Sequence, residues 1–95
     1  MSKEIHLKVI TQEGVAVEED AVSVRAPGEL GSFGVLYNHA PLVSTLQPGK
    51  LIWRKASGES KTLVVGSGVV EVAKNNITLL TQSVKEPAAS EERSF

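Results

Sequence analysis

Hydrophobic residues recur at every second position along most of this chain. In the opening stretch Ile5, Leu7 and Val9 fall on one side, with His6 and Lys8 between them. Alternate side chains of an extended chain point to opposite faces, so this period predicts a half-buried β-strand. VAVEEDAVSV follows; it breaks at Glu18-Glu19-Asp20 and resumes with Val22 and Val24 on one face. GKLIWRK, KTLVVG, GVVEVAK and NITLLTQ are short and rich in β-branched residues, which fit a pleated surface. Turn signals separate them at Glu13-Gly14, Pro27-Gly28, Pro48-Gly49, Ser57-Gly58 and Asn75-Asn76. WRKASGESKTLVV reads as a hairpin with a solvated loop, and VAKNNITLL as a tighter one. No long segment carries the helical period. Many short strands at this spacing predict an all-β domain, a sandwich or a barrel.

Several of these strands are apolar on both faces: Leu51-Ile52-Trp53, Leu63-Val64-Val65, Val69-Val70 and Leu79-Leu80. An antiparallel sandwich ordinarily leaves one face of each strand in water. Either these are central strands with scattered surface apolars, or part of an outer face is covered by a partner. The end of the chain, SVKEPAASEERSF, is polar and rich in small residues. The expected organisation is one domain over residues 1–84 and a polar, mobile tail over 85–95. Pro87 suits the first turn of a helix, but the residues after it are too few to hold one alone.

Composition narrows the function. Ninety-five residues make one domain, which buries roughly two-thirds of its unfolded surface and has no room for a large active-site cavity. The chain has no cysteine, which excludes disulfides and thiolate metal sites. Its net charge is -1, with acids and bases interspersed, which argues against nucleic acid as a partner. No apolar run approaches the roughly 20 residues of a spanning helix, and the first residues have no secretory h-region. These features predict a soluble cytoplasmic domain.

Candidate chemistry is sparse. A serine triad needs a histidine and a carboxylate, and the chain offers only His6, His39 and one aspartate, Asp20. Ser67 in VGSGVV lacks the outer glycines of a nucleophile elbow and reads as a turn residue. GSGVVE lacks the third glycine and the following helix of a dinucleotide site, and no P-loop lysine occurs. Glu18-Glu19-Asp20 reads as a solvated turn; three consecutive acids on an extended chain cannot converge on one cation. Two histidines without clustered carboxylates are too few for a metal centre. Trp53 reads as a core or sheet-face residue rather than a ligand platform. His39 sits in NHAPL, where Pro41 restricts Ala40 and Asn38 tolerates a turn. That corner fixes the ring in space, either to satisfy loop backbone groups or as a contact residue.

The stretch VRAPGELGSFGVLYNHAPLVSTLQPGKL resembles the hallmark of the epsilon subunits of F-type ATP synthases, called delta in mitochondria. The matching motifs are Gly28-Glu29-Leu30-Gly31, Gly34-Val35-Leu36, His39-Ala40-Pro41-Leu42 and Leu46-Gln47-Pro48-Gly49. VVGSGVVEVAKNNITLLT and the opening IHLKVITQEG are similar to further family segments, so the resemblance runs from about Ile5 to Thr81. It implies a flattened β-sandwich of about ten short strands and a noncatalytic rotor subunit without a cofactor. Such a subunit clamps the gamma subunit, rests on the c ring, and lies peripherally on the cytoplasmic face of a bacterial inner membrane, with the stromal side of a thylakoid as the alternative. Carried over by residue, Glu29 and Leu30 are expected to face the c ring. Thr11, His39, Leu42 and Ser44 are expected to face gamma, with Val43 competing with Leu42 because one of the two must face the core. Tyr37 stands where proline is common in the family. The family's two-helix hairpin has no counterpart in the sequence up to Phe95, so neither helix-borne inhibition nor ATP binding is expected of this chain. The alternative is a ligand- or glycan-binding sandwich using Trp53 and Tyr37, disfavoured because aromatics are 4% of the chain.

Overall fold

In the computed structural model, which describes residues 3–87, the alternation becomes ten strands. They are β1 (Ile5–Thr11), β2 (Gly14–Ala21), β3 (Ser23–Gly28), β4 (Gly31–Val35), β5 (Leu42–Leu46), β6 (Gly49–Arg54), β7 (Ser60–Val65), β8 (Gly68–Ala73), β9 (Asn76–Thr81) and β10 (Val84–Lys85). Hydrogen bonding follows the path β10-β7-β6-β3-β5-β8-β9-β1-β2, with β4 paired to β3. The path folds on itself where β3 meets β5 at the single pair Gly28–Leu46. One layer is β5-β8-β9-β1-β2; the other is β10-β7-β6-β3-β4. The all-β sandwich expected from the sequence is the fold. The residues that follow Pro87, and with them most of the expected tail, lie outside the described residues.

The core is the alternation made solid. Ile5, Leu7 and Val9 of β1, Val70 and Val72 of β8, and Ile77 and Leu79 of β9 meet Val24, Leu51, Trp53, Leu63 and Val65 of the other layer. Each fully buried aliphatic side chain stabilises the fold by about 1.5–3 kcal/mol relative to exposure. β1 and β9 run parallel, with Leu7 beside Ile77 and Val9 beside Leu79, so two inward rows merge into one. A bulge between Val9 and Ile10 offsets the β1–β2 register.

Both expected hairpins form. β6 and β7 are joined by an exposed loop closed by the Gly58 N–H to Lys55 carbonyl bond at 2.8 Å. The β8–β9 turn is centred on Lys74 and Asn75, one residue earlier than the Asn75-Asn76 signal. Both have positive φ, 51° and 63°, the geometry of a type I′ turn. Gly68 is glycine for a spatial reason: a Cβ there would overlap the Leu80 carbonyl. The GSG segment therefore serves a close strand crossing. Thr81, a buried polar residue, donates its hydroxyl to the Gly66 carbonyl at 2.9 Å and ties the same crossing.

One expectation is corrected. Glu18-Glu19-Asp20 is not a turn but the continuation of β2, paired with Lys8, Leu7 and His6 of β1. The acids alternate across the strand, as an extended chain requires, so Glu18 and Asp20 share one face and Glu19 takes the other.

Candidate interaction site

The tip of the β3–β4 hairpin is built from the Gly28–Gly31 pair, leaving Glu29 and Leu30 as the turn residues. Phe33 packs across Gly28, where a Cβ would stand 2.8 Å from the ring. The Glu29 carboxylate accepts the Thr45 hydroxyl at 3.0 Å, which pins the tip to β5. Leu30 is 99% exposed. The tip, Phe33 and residues Leu42 to Thr45 line one open groove of about 610 Å³. The structure thus brings Glu29, Leu30, Leu42 and Ser44 together.

Along β5 the parity is set by Leu46, which is buried. Leu42 packs partly against the core, and Ser44 lies between them on the same inward side. Val43, 69% exposed, points outward, so of the competing pair Leu42 faces the core. The outward side of this layer carries a second row. Thr45 pairs Val69, Val69 pairs Leu80, Leu80 pairs Ile10, and Ile10 pairs Val15. Val15, Val69 and Leu80 are all exposed. Cross-strand neighbours lie about 5 Å apart, so four apolar side chains form a stripe across the sheet. This is the outer face of two of the four doubly apolar strands that the sequence singled out, β8 and β9; the other two, β6 and β7, lie in the opposite layer.

His39 occupies a corner held from two directions. Its N–H donates to the Leu36 carbonyl at 3.1 Å, and Asn38 has φ 65°, the signature of a type II turn with Tyr37 and Asn38 at its centre. The Asn38 N–H donates to Asn75 Oδ1 at 2.6 Å, and Asn75 Nδ2 donates back to Asn38 Oδ1 at 3.3 Å. The Asn75 carbonyl also accepts the His6 N–H at 2.9 Å. His39 Nδ1 donates to the Ala40 carbonyl at 2.7 Å, which fixes the ring's orientation. Thr11, at the far end of β1, accepts the Glu13 N–H at 3.2 Å and shapes the β1–β2 turn. Thr11 and His39 mark opposite ends of the layer, about 17 Å apart along the strands at about 3.3 Å per residue.

Two charge clusters escaped the sequence reading. On the outer face His6 donates Nδ1–H to Asp20 at 2.9 Å and Nε2–H to Glu18 at 2.8 Å. The hydrogen bonds that His6 donates to Asp20 and then to Glu18 hold the imidazole above its ordinary pKa; the bond from His6, with Lys8 nearby, holds Glu18 below its own. With both ring nitrogens donating, neither lone pair is free for a metal. At the seam between the layers, Glu19 accepts the Trp53 indole N–H at 2.7 Å and pairs with Lys55 at 3.3 Å and Lys61 at 3.4 Å. Partial burial pushes the Glu19 pKa up, but Trp53, Lys55 and Lys61 outweigh it and the group ends below its ordinary value. Only the register of the β1–β2 hairpin, which sets acids at alternate positions opposite His6, could have revealed the first cluster. Trp53 is 4% exposed and its polar edge is consumed, so it cannot serve as a ligand platform beside Tyr37. Among the described residues no group of three or more His, Cys, Asp or Glu could hold a metal ion.

Comparison with known proteins places this geometry. The family described as ATP synthase, Delta/Epsilon chain, beta-sandwich domain matches residues 4–87. The ATP synthase epsilon chain of Desulfosudis oleivorans is 40% identical over 90% of this chain and 64% of its own length. That of Nitratidesulfovibrio vulgaris is 38% identical over 90% of this chain and 63% of its own length. The chain thus spans a little under two thirds of these curated relatives. The fold also matches a chain in the Euglena gracilis mitochondrial ATP synthase, OSCP/F1/c-ring, with TM-score 0.85 at 22% identity, covering 97% of this chain and 60% of that one. A chain in the Tetrahymena thermophila ATP synthase central stalk/c-ring matches with TM-score 0.73 at 16% identity, covering 95% and 72%. On the family match and the curated relatives together, this chain belongs to the delta/epsilon-chain β-sandwich family of ATP synthases.

Proposed function

We propose that this domain is a noncatalytic rotor element of an F-type ATP synthase, held between the gamma subunit and the c ring so that ring rotation is passed to the catalytic head. The observation that carries the reading is the apolar stripe Val69, Leu80, Ile10 and Val15 on the outer face of an otherwise complete sheet, in a chain of this family. Gamma covers that stripe and extends to Thr11 at one end and His39 at the other. On β5, Leu42 and Ser44 are reached through the groove rather than from the flat face. The tip residues Glu29 and Leu30 meet the polar loops of the c ring: Leu30 supplies an exposed apolar contact, and the Thr45 bond presents the Glu29 carboxylate toward basic loop residues. Through that complex the chain lies peripherally at a bacterial inner membrane, on its cytoplasmic side.

Calorimetry of the purified chain with its cognate gamma subunit tests the reading. One-to-one binding is expected, weakened by Leu80→Ser and by His39→Ala. A folded chain that ignores a folded cognate gamma would refute it.

A further inference from the structure

The near-neutral net charge conceals a division between the two layers. All strand acids, Glu18, Glu19, Asp20 and Glu71, lie in the layer that carries the apolar stripe. The strands of the other layer, β3, β4, β6, β7 and β10, contain no acid at all. Their outward positions carry Arg25, Lys50, Arg54 and Lys85. Arg25 pairs Ile52 across the β3–β6 ladder, which puts Arg54 at the diagonal position, about 7–8 Å away between Cα atoms. The two arginines border a depression of about 430 Å³ with Ser23, Gly34, Leu36, Ile52 and Ser60, and no carboxylate lines it. Arg25 reaches one neutral partner, the Ser32 hydroxyl at 3.3 Å, and lies over Gly34, where a Cβ would stand 3.5 Å from the guanidinium. The Arg54 side chain has no hydrogen-bond or ionic partner among the described residues. Leu36, 62% exposed, forms an aliphatic rim.

We propose that this face docks an acidic segment of a partner protein, two carboxylates of which engage Arg25 and Arg54 while an aliphatic side chain between them rests on Ile52 and Leu36. Guanidinium groups match carboxylates through paired N–H donors, which lysine cannot reproduce. The arginine spacing suits carboxylates two apart on an extended segment, or three to four apart on a helix. A membrane surface is met by a broad cluster of Lys and Arg; here two arginines border a hollow whose apolar walls fit an aliphatic side chain between two carboxylates. The site is remote from the apolar stripe and makes no use of gamma, so its failure and that of the rotor reading are separable.

The test is fluorescence anisotropy with a labelled peptide of repeated Glu-Ser-Glu-Leu, a Lys-Ser-Lys-Leu control, and vesicles of phosphatidylcholine with phosphatidylserine. The acidic peptide is expected to bind, to weaken with added salt, and to shift the backbone amide resonances of Arg25, Ile52 and Arg54. Arg25→Glu with Arg54→Glu should weaken it at least about tenfold; Arg54→Gln alone, at an exposed position, should give a smaller loss and guards against misfolding of the double variant. Equal binding of the lysine peptide, binding indifferent to both variants, or resonance shifts confined to β1 and β2 would overturn the proposal. So would vesicle binding without peptide binding, or peptide binding that appears only when residues 88–95 are removed, which would assign the face to lipid or to the chain's own acidic end.

Discussion

Asn75 and Asn38 clasp each other across the end of the sheet: Asn75 Oδ1 takes the Asn38 N–H at 2.6 Å, and Asn75 Nδ2 returns a bond to Asn38 Oδ1 at 3.3 Å. The β8–β9 turn thereby sets the position of the His39 corner. Asn75→Gly keeps the turn, because glycine accepts the φ of 63° that the site imposes, and removes only the clasp. The expected loss is about 1–2 kcal/mol of stability for bonds at an exposed site. Hydrogen exchange should show faster exchange of the Asn38 and His39 amides with the core strands unchanged. Unchanged exchange at those two amides would show that Pro41 alone fixes the corner.

The Glu19 cluster holds the seam between β2 and the β6–β7 hairpin. Glu19→Ala leaves the indole N–H of a buried Trp53 without its acceptor and strips Lys55 and Lys61 of their counterion. A cost of about 1–3 kcal/mol is expected from denaturant unfolding, with a shift in tryptophan emission. Because the folded pKa of Glu19 is lowered, its stabilisation is complete above the unfolded carboxylate pKa and is lost as pH falls through the folded value. The variant should therefore lose part of the wild-type chain's acid sensitivity below about pH 4.5.

The strands, both expected hairpins and the inward rows were legible in the sequence because each rests on local period and turn chemistry. Leu79 and Leu80 show where local reading stops. Both are leucines in an apolar run, and only the register with β1 and β8 assigns one to the core and the other to the stripe. The same limit hid His6: its partners are 12 and 14 residues away, and their acids looked like a turn until β2 was seen to continue through them. The Glu29 tip was readable as a motif, whereas its bond to Thr45 depends on β5 coming alongside.

The His6 clamp predicts a pH window. The raised His6 pKa means that its contribution is full below the unfolded histidine value, about 6.5, and disappears as pH rises through the higher folded value. Glu18 acts oppositely: its lowered pKa contributes above the unfolded carboxylate range and is lost as pH falls through its folded value. The clamp is therefore strongest between the two. Asn76 and Thr78 on β9 and Lys8 on β1 share the outer face around it. NMR titration of the His6 ring should give a midpoint above that of a free histidine, moving back down in Glu18→Gln with Asp20→Asn. An unmoved midpoint would remove the carboxylates as its cause.

Adjacent leucines separate folding from binding. Leu79 is fully buried and Leu80 is 51% exposed. Leu79→Ala should cost about 2–5 kcal/mol, the transfer term plus the cavity it leaves between β1 and β8. Leu80→Ser should cost no more than about 1 kcal/mol, since its half-exposed outward side chain loses only cross-strand contacts with Val69 and Ile10. If the stripe is the gamma-facing surface, the ranking reverses in a binding assay run at a temperature where both variants are folded. Leu80→Ser then weakens association by about tenfold or more, as loss of a central apolar contact does, while Leu79→Ala binds nearly as the parent chain does. Full-strength binding by Leu80→Ser would move the gamma contact off the stripe and onto the groove between the Glu29 tip and β5.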